Sequence, residues 1–143
     1  MTGTAPPTPR RTLRGASRRA LRGTGVPAPA AAVLDVAAVL AFVLVGRRSH
    51  AEGLDLAGTL GTAWPFLAGL ATGWVAARGW RAPSSRRTGA AVWAAAVAVG
   101  VLLRATTGDG APVSFVVVTA FVLAALLLGW RVVAALVGCS GRR

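Results

Sequence analysis

Four long runs of apolar residues dominate the chain after residue 29, and short polar stretches rich in arginine and glycine separate them. The runs cover residues 30–46, 58–77, 89–103 and 113–137. None of them shows the charged face that a surface helix of a soluble protein carries. At about 1.5 Å of rise per residue, runs of this length approach the ~30 Å hydrocarbon core of a bilayer. The pattern predicts an all-α membrane protein with a four-helix transmembrane domain over residues 30–137.

The second run is rich in glycine and contains a proline. Gly69 and Gly73 form a GxxxG pair, which allows two helices to approach closely in lipid. Pro65 is tolerated when neighbouring helices satisfy the carbonyl that it frees. Small residues at helical spacing form a seam that we expect to face protein: Thr62, Pro65, Gly69, Thr72 and Ala76. We expect another face, which holds the bulky residues, to face lipid: Phe66, Leu70 and Trp74.

The two ends of the chain differ from the apolar runs. Residues 1–29 hold five of the 8 prolines and six arginines, with few apolar side chains. Such a segment buries too little surface to offset the entropy of folding, so we predict a disordered cytoplasmic tail. Arginines close to a membrane attract anionic lipid, which makes anionic lipid a candidate partner of this tail. Residues 138–143 form a short basic end.

The charge is unequally distributed along the chain. There are 16 basic and 4 acidic residues, for a net charge of +12. If the N-terminus is inside, 13 arginines fall on the inner side and 3 on the outer side. The positive-inside rule then places both termini in the cytoplasm of a multi-pass protein of the cell membrane. We expect four tryptophans at the inner interface and one at the outer, namely Trp74, Trp80, Trp93 and Trp130 against Trp64.

A pI near 12.0 also occurs in nucleic-acid-binding proteins. Here, however, the arginines lie in the tail or at the ends of apolar runs, where membrane proteins use them. We therefore expect the lipid bilayer to be the partner and expect no nucleic acid.

Asp35 is the most conspicuous polar residue, because it lies inside the first apolar run, roughly 7 Å from its start. A carboxylate at that depth is costly and is a candidate functional residue. Arg131 lies at a similar depth in the fourth run, so the two are a candidate intramembrane pair. Alternatively, Asp35 interacts with the dipole of its helix and reaches headgroup water. A role in carrying a proton or substrate is a further alternative.

A second candidate cluster occupies the predicted outer rim. Its members are charged or titratable residues at the ends of the apolar runs and in the outer loops: Arg47, Arg48, His50, Glu52, Asp55, Arg104 and Asp109. They would form an anion-binding or metal-binding vestibule, or simply anchor the helices at the interface beside a solvated loop. A lone histidine with two loop acids is a weak metal signature, so we predict no metal site.

Catalysis is not indicated by the composition. The chain has 1 histidine, 1 cysteine, no lysine and no tyrosine, and no serine lies in a nucleophile elbow. We expect neither an enzyme nor a cofactor.

Several short motifs resemble those of a family of small bacterial and archaeal membrane proteins known only as domain of unknown function 3054. They are Asp35, Gly46-Arg47-x-x-His50, Pro65-Phe66, Gly73-Trp74, Arg104, Ser114-Phe115 and Gly129-Trp130-Arg131. The resemblance covers residues 34–131 and omits the tail. It implies a small integral membrane protein and transfers no catalytic role.

The function predicted from the sequence is non-enzymatic. A small transporter or channel subunit, or an accessory membrane protein, fits best. Four short helices enclose little volume, so a transport path would form more naturally between two copies in a homo-oligomer. The alternative is a structural or interaction protein whose basic tail binds anionic lipid or an acidic partner.

Overall fold

The fold is all-α across the part of the chain that the computed structural model describes, which is residues 25–49, 55–108 and 110–140. Its helices are α1 (Ala28–Ser49), α2 (Leu56–Ala76), α3 (Arg86–Thr106) and α4 (Val113–Ser140). A 3-10 turn, Gly79–Arg81, lies between α2 and α3. Most of the tail predicted to be disordered, and residues 141–143, lie outside the described residues. α1 begins at Ala28, inside the segment that the sequence assigned to the tail.

Most of the helices extend further than the apolar runs that predict them. α1 has 22 residues, which corresponds to about 33 Å. Three helical segments are long and apolar enough to cross a membrane, namely Ala28–Arg48, Arg86–Thr106 and Val113–Gly138. α2 has 21 residues but is not among these three segments. The described structure thus has three helices that resemble membrane spans and one that matches them in length.

α2 packs against α1 and, most extensively, against α3. The ring of Phe66 meets Phe42 of α1 edge to face, with ring centroids 5.3 Å apart. Phe66 and Leu70 are buried, whereas Thr72 and Ala76 are exposed. The expectation that the bulky face of α2 points at lipid is therefore wrong. A helix with neighbours on two sides buries a broad sector, and this sector includes both bulky and small residues.

The contact between α2 and α3 depends on glycine. A Cβ atom added at Gly69 would lie 2.8 Å from the Cα atom of Ala96, and one at Gly73 would lie 2.6 Å from the Cα atom of Val92. Both distances are shorter than carbon atoms tolerate, so the backbones touch only because these side chains are absent. Gly69 lies against Ala96 and Gly73 lies against Val92, so α2 and α3 run antiparallel. Pro65 is buried in the same helix.

Polar side chains cap the starts of α2 and α3. The Asp55 carboxylate accepts a hydrogen bond from the backbone N–H of Gly58 at 2.6 Å, and Ser85 Oγ accepts one from the N–H of Thr88 at 3.1 Å. These are N-cap interactions, which satisfy backbone donors that a helix leaves unpaired at its start. The caps fix where α2 and α3 begin.

Candidate functional site

Asp35 lies at one end of the bundle, which we call the terminal end because α1 begins and α4 ends there. It is about 10 Å from the start of α1, and none of its surface is exposed. The indole of Trp130 donates to Oδ1 at 2.8 Å, and that of Trp74 donates to Oδ2 at 2.9 Å. Arg131 donates to both oxygens. The carboxylate therefore accepts four side-chain hydrogen bonds without contact with water.

Arg131 binds Asp35 through two parallel hydrogen bonds. Its Nη1 lies 2.7 Å from Oδ1, and its Nη2 lies 2.8 Å from Oδ2. Nη1 also donates to the carbonyl of Leu127 at 2.6 Å, and Nε donates to the carbonyl of Pro83 at 3.1 Å. Only 3% of Arg131 is exposed. This bidentate geometry is the strongest form of carboxylate recognition by arginine.

All four helices meet at this cluster of Asp35, Arg131, Trp74 and Trp130. Asp35 is on α1, Trp74 on α2, and the other two on α4. α3 contributes Gly89, where an added Cβ would lie 2.7 Å from Cδ of Arg131, so the glycine makes room for the arginine chain. Removing two charges from water costs several kcal/mol each, unless excellent geometry and further hydrogen bonds compensate for the loss. Here both conditions are met.

The structure brings together the pair that the sequence singled out, Asp35 and Arg131. Both residues lie deeper than expected, because α1 starts earlier and α4 ends later than the apolar runs. The alternative in which Asp35 reaches headgroup water is wrong, since the carboxylate is fully buried. The roles of Trp74 and Trp130 were not predicted, because tryptophan near a helix end is typical of interface anchoring. The sequence held one indication of these contacts, because a tryptophan that is buried between helices needs an acceptor for its indole N–H.

The opposite end of the bundle, where α1 and α3 end and α2 and α4 begin, holds part of the predicted rim cluster. Arg47 forms an ion pair with Asp55 at 3.3 Å and donates to Thr62 Oγ1 at 3.2 Å. The side chain of Asp55 is 62% exposed, so this ion pair is weak in energy. The hydrogen bond from the Gly58 N–H lowers the pKa of Asp55, and Arg47 adds to that effect.

Arg104 lies at the same end and faces an aromatic ring. Its guanidinium carbon is 4.9 Å from the ring centroid of Phe115, which is a cation–π distance. Arg104 and Arg47 both line a pocket of about 130 Å³, together with Thr62 and Thr119. Arg48 is exposed and does not line it. The remaining predicted members of the rim lie outside the described residues: His50, Glu52 and Asp109.

The described residues contain no group of three histidine, cysteine or acidic side chains placed to hold a metal ion. The described side chains at the two ends offer ion pairing and hydrogen bonding by arginine, carboxylate, indole and hydroxyl groups.

Residues 32–134 match a family described as Protein of unknown function (DUF3054). No curated protein and no solved structure matches the chain. The matched segment contains the cluster at the terminal end and every described residue that lines the pocket. Because the match covers more than half of the chain and agrees with the resemblance found in the sequence, the protein belongs to the DUF3054 family.

Proposed function

We propose that the chain is a membrane protein with four spans and both termini in the cytoplasm of the cell. α2 runs antiparallel to α3 in direct backbone contact, so if α3 crosses the bilayer, α2 crosses with it. Exposed arginines of the positive-inside pattern lie between α2 and α3 and at the start of α3; they are Arg78, Arg81, Arg86 and Arg87. The terminal end of the bundle then faces the cytoplasm.

We propose that its role is non-enzymatic: a small transporter or channel subunit, or an accessory membrane protein. The observation that carries this proposal is the difference between the two ends. At the terminal end, the buried charges of Asp35 and Arg131 are paired with each other. The opposite end carries a pocket in which arginine and hydroxyl groups meet apolar walls. Such a division suits a protein that receives a small solute from the outer side, with any full path completed between two copies.

Cysteine labelling in intact cells tests the topology. In a chain with Cys139→Ser, we expect Thr107→Cys to react with a membrane-impermeant maleimide and Arg81→Cys to react only after permeabilisation. Both positions are exposed and lie at opposite ends of the bundle, which makes them a matched pair. Labelling of Arg81→Cys in intact cells would contradict the proposed orientation, and equal labelling of both positions would contradict a crossing of the membrane by α3.

A second candidate function is that of an interaction protein that binds anionic lipid at the terminal end. It is favoured by a groove of about 350 Å³ between α3 and α4, with Ser84 and Arg86 at one end. The rest of its lining is largely apolar, with Leu128, Val132 and Leu136, and it also includes Arg131. Arginine beside an apolar groove suits a lipid phosphate and its acyl chain, since each such charge contributes roughly 1 kcal/mol near an anionic surface.

Native mass spectrometry of the purified protein tests this second candidate. We expect Arg86→Gln to retain less phosphatidylglycerol than the unaltered chain, because the substitution removes the exposed arginine of the groove, whereas Arg131 is paired with Asp35. Arg48→Gln is the matched control, since Arg48 is exposed at the opposite end and lines no part of the groove. Equal loss of lipid from both variants would show that only total charge matters and would remove the support for this candidate.

A further inference from the structure

The pocket at the opposite end is built from side chains of all four helices. α1 contributes Phe42 and Arg47, α2 contributes Phe66, α3 contributes Arg104, and α4 contributes Thr119. Its volume is about 130 Å³, close to the ~150 Å³ of a cavity that accommodates benzene. The pocket therefore has room for a solute of only a few heavy atoms.

Thr119 gives the first sign of a ligand. It is completely buried, with 0% of its surface exposed, and it lines the pocket. Its Oγ1 atom makes no hydrogen bond within the part of the chain that is described. A hydroxyl in an apolar helix normally bonds a carbonyl or a neighbouring side chain, because leaving it unsatisfied costs free energy. An acceptor or donor in the pocket would satisfy it.

The guanidinium groups of Arg47 and Arg104 give the second sign. Both line the same small space, where the low dielectric of the surrounding apolar residues strengthens charge interactions. A guanidinium has five N–H donors in a planar fork, so it can hold a ligand in addition to contacts within the protein. The anion that matches this fork most closely is a carboxylate, which accepts two parallel hydrogen bonds.

The walls select the rest of the ligand. The rings of Phe42, Phe66 and Phe115 line the pocket, and the Phe66 and Phe115 centroids are 6.3 Å apart. Such walls favour an apolar group and disfavour a fully hydrated ion such as phosphate. We propose that this pocket binds a short-chain monocarboxylate, with its carboxylate at the arginines and Thr119 and its tail among the phenyl rings. The site requires only the packing of the helices and is independent of the topology and role proposed above.

Binding can be measured on the full chain purified in an uncharged detergent, with sodium butyrate as the probe and saturation-transfer NMR as the readout. Butyramide has the same shape without the charge, and inorganic phosphate has the charge without the tail. We expect butyrate to bind at least about tenfold more tightly than either, because charged hydrogen bonds and apolar burial are both needed.

Three substitutions locate the site. Arg104→Gln removes one charge from the pocket, and we expect it to weaken butyrate binding about tenfold or more. Thr119→Val keeps the side-chain shape and removes only the hydroxyl, so we expect a loss of roughly threefold to tenfold with the fold intact. Gly46→Leu fills the pocket from one side, where an added Cβ would meet no atom within 4 Å, and we expect it to abolish binding.

Arg48→Gln is the matched control, since Arg48 is an exposed arginine at the same end that does not line the pocket. Butyrate affinity should be unchanged in that variant. The proposal is overturned if butyrate binds no better than butyramide. In that case we expect water to occupy the pocket. The proposal is equally overturned if phosphate binds as tightly as butyrate, or if Arg48→Gln weakens binding as much as Arg104→Gln does.

Discussion

Asp35→Asn should destabilise the bundle by about 3–5 kcal/mol, which is the usual effect of leaving a buried charge without its partner. The amide that replaces the carboxylate would still accept a hydrogen bond from an indole, but the guanidinium of Arg131 would remain buried with no opposite charge. Unfolding by SDS in mixed micelles, followed by the fluorescence of the 5 tryptophans, measures this difference. Arg48→Gln should unfold at the same SDS fraction as the unaltered chain, because Arg48 is exposed.

A double variant separates the charge effect from the loss of shape. Asp35→Asn combined with Arg131→Gln removes both charges while keeping polar groups at both positions. We expect it to be more stable than the sum of the two single variants predicts, with a coupling of about 1–3 kcal/mol. Additive effects would contradict the pairing. If Asp35→Asn instead unfolds like the unaltered chain but abolishes a transport activity, the carboxylate acts as a carrier and not as a structural lock.

The pairing of Asp35 with Arg131 was predictable, because burying either charge alone in lipid is so costly that the sequence offers few other solutions. The helices themselves were predictable for the same reason, since long apolar runs in a bilayer must satisfy their backbone hydrogen bonds internally. The ends of the helices were less predictable. α3 extends to Arg86 and Thr106 because polar and charged residues continue a helix beyond its apolar part, with Ser85 as its cap.

The buried face of α2 could not be predicted from hydropathy. In water, apolar side chains mark the face that packs against protein, but in lipid both faces are apolar and this signal is lost. Phe66 and Leu70 therefore looked like residues that face lipid, although both are buried between helices. The pair of Gly69 and Gly73 was a better guide to the buried face, because glycine at this spacing allows another backbone to come close.

The contacts of Asp35 with the two tryptophans could not be predicted from the sequence either. Trp74 is 39 residues from Asp35 and Trp130 is 95 residues away, so their contacts depend on the register of three helices. The pocket at the opposite end has the same origin, since Arg47 and Arg104 were predicted to lie on one side but not to line one space with Thr119.

Gly73→Ala should destabilise the bundle by about 1–3 kcal/mol, as an added methyl group does in a tightly packed contact. The new Cβ would lie 2.6 Å from the Cα atom of Val92 and 3.1 Å from the carbonyl oxygen of Ala91. Both atoms belong to the backbone of α3, so no side-chain rotation can relieve the overlap and the helices must move apart. The same unfolding measurement in mixed micelles detects the loss.

Gly61→Ala provides the control within the same helix. An added Cβ at Gly61 would meet no atom within 4 Å, so it leaves the contact with α3 untouched. Alanine also favours a helix over glycine by up to about 1 kcal/mol, which predicts unchanged or slightly increased stability. The two substitutions add the same methyl group to the same helix and differ only in what that group meets. If they shift the unfolding midpoint equally, the close approach of α2 and α3 does not hold the bundle together.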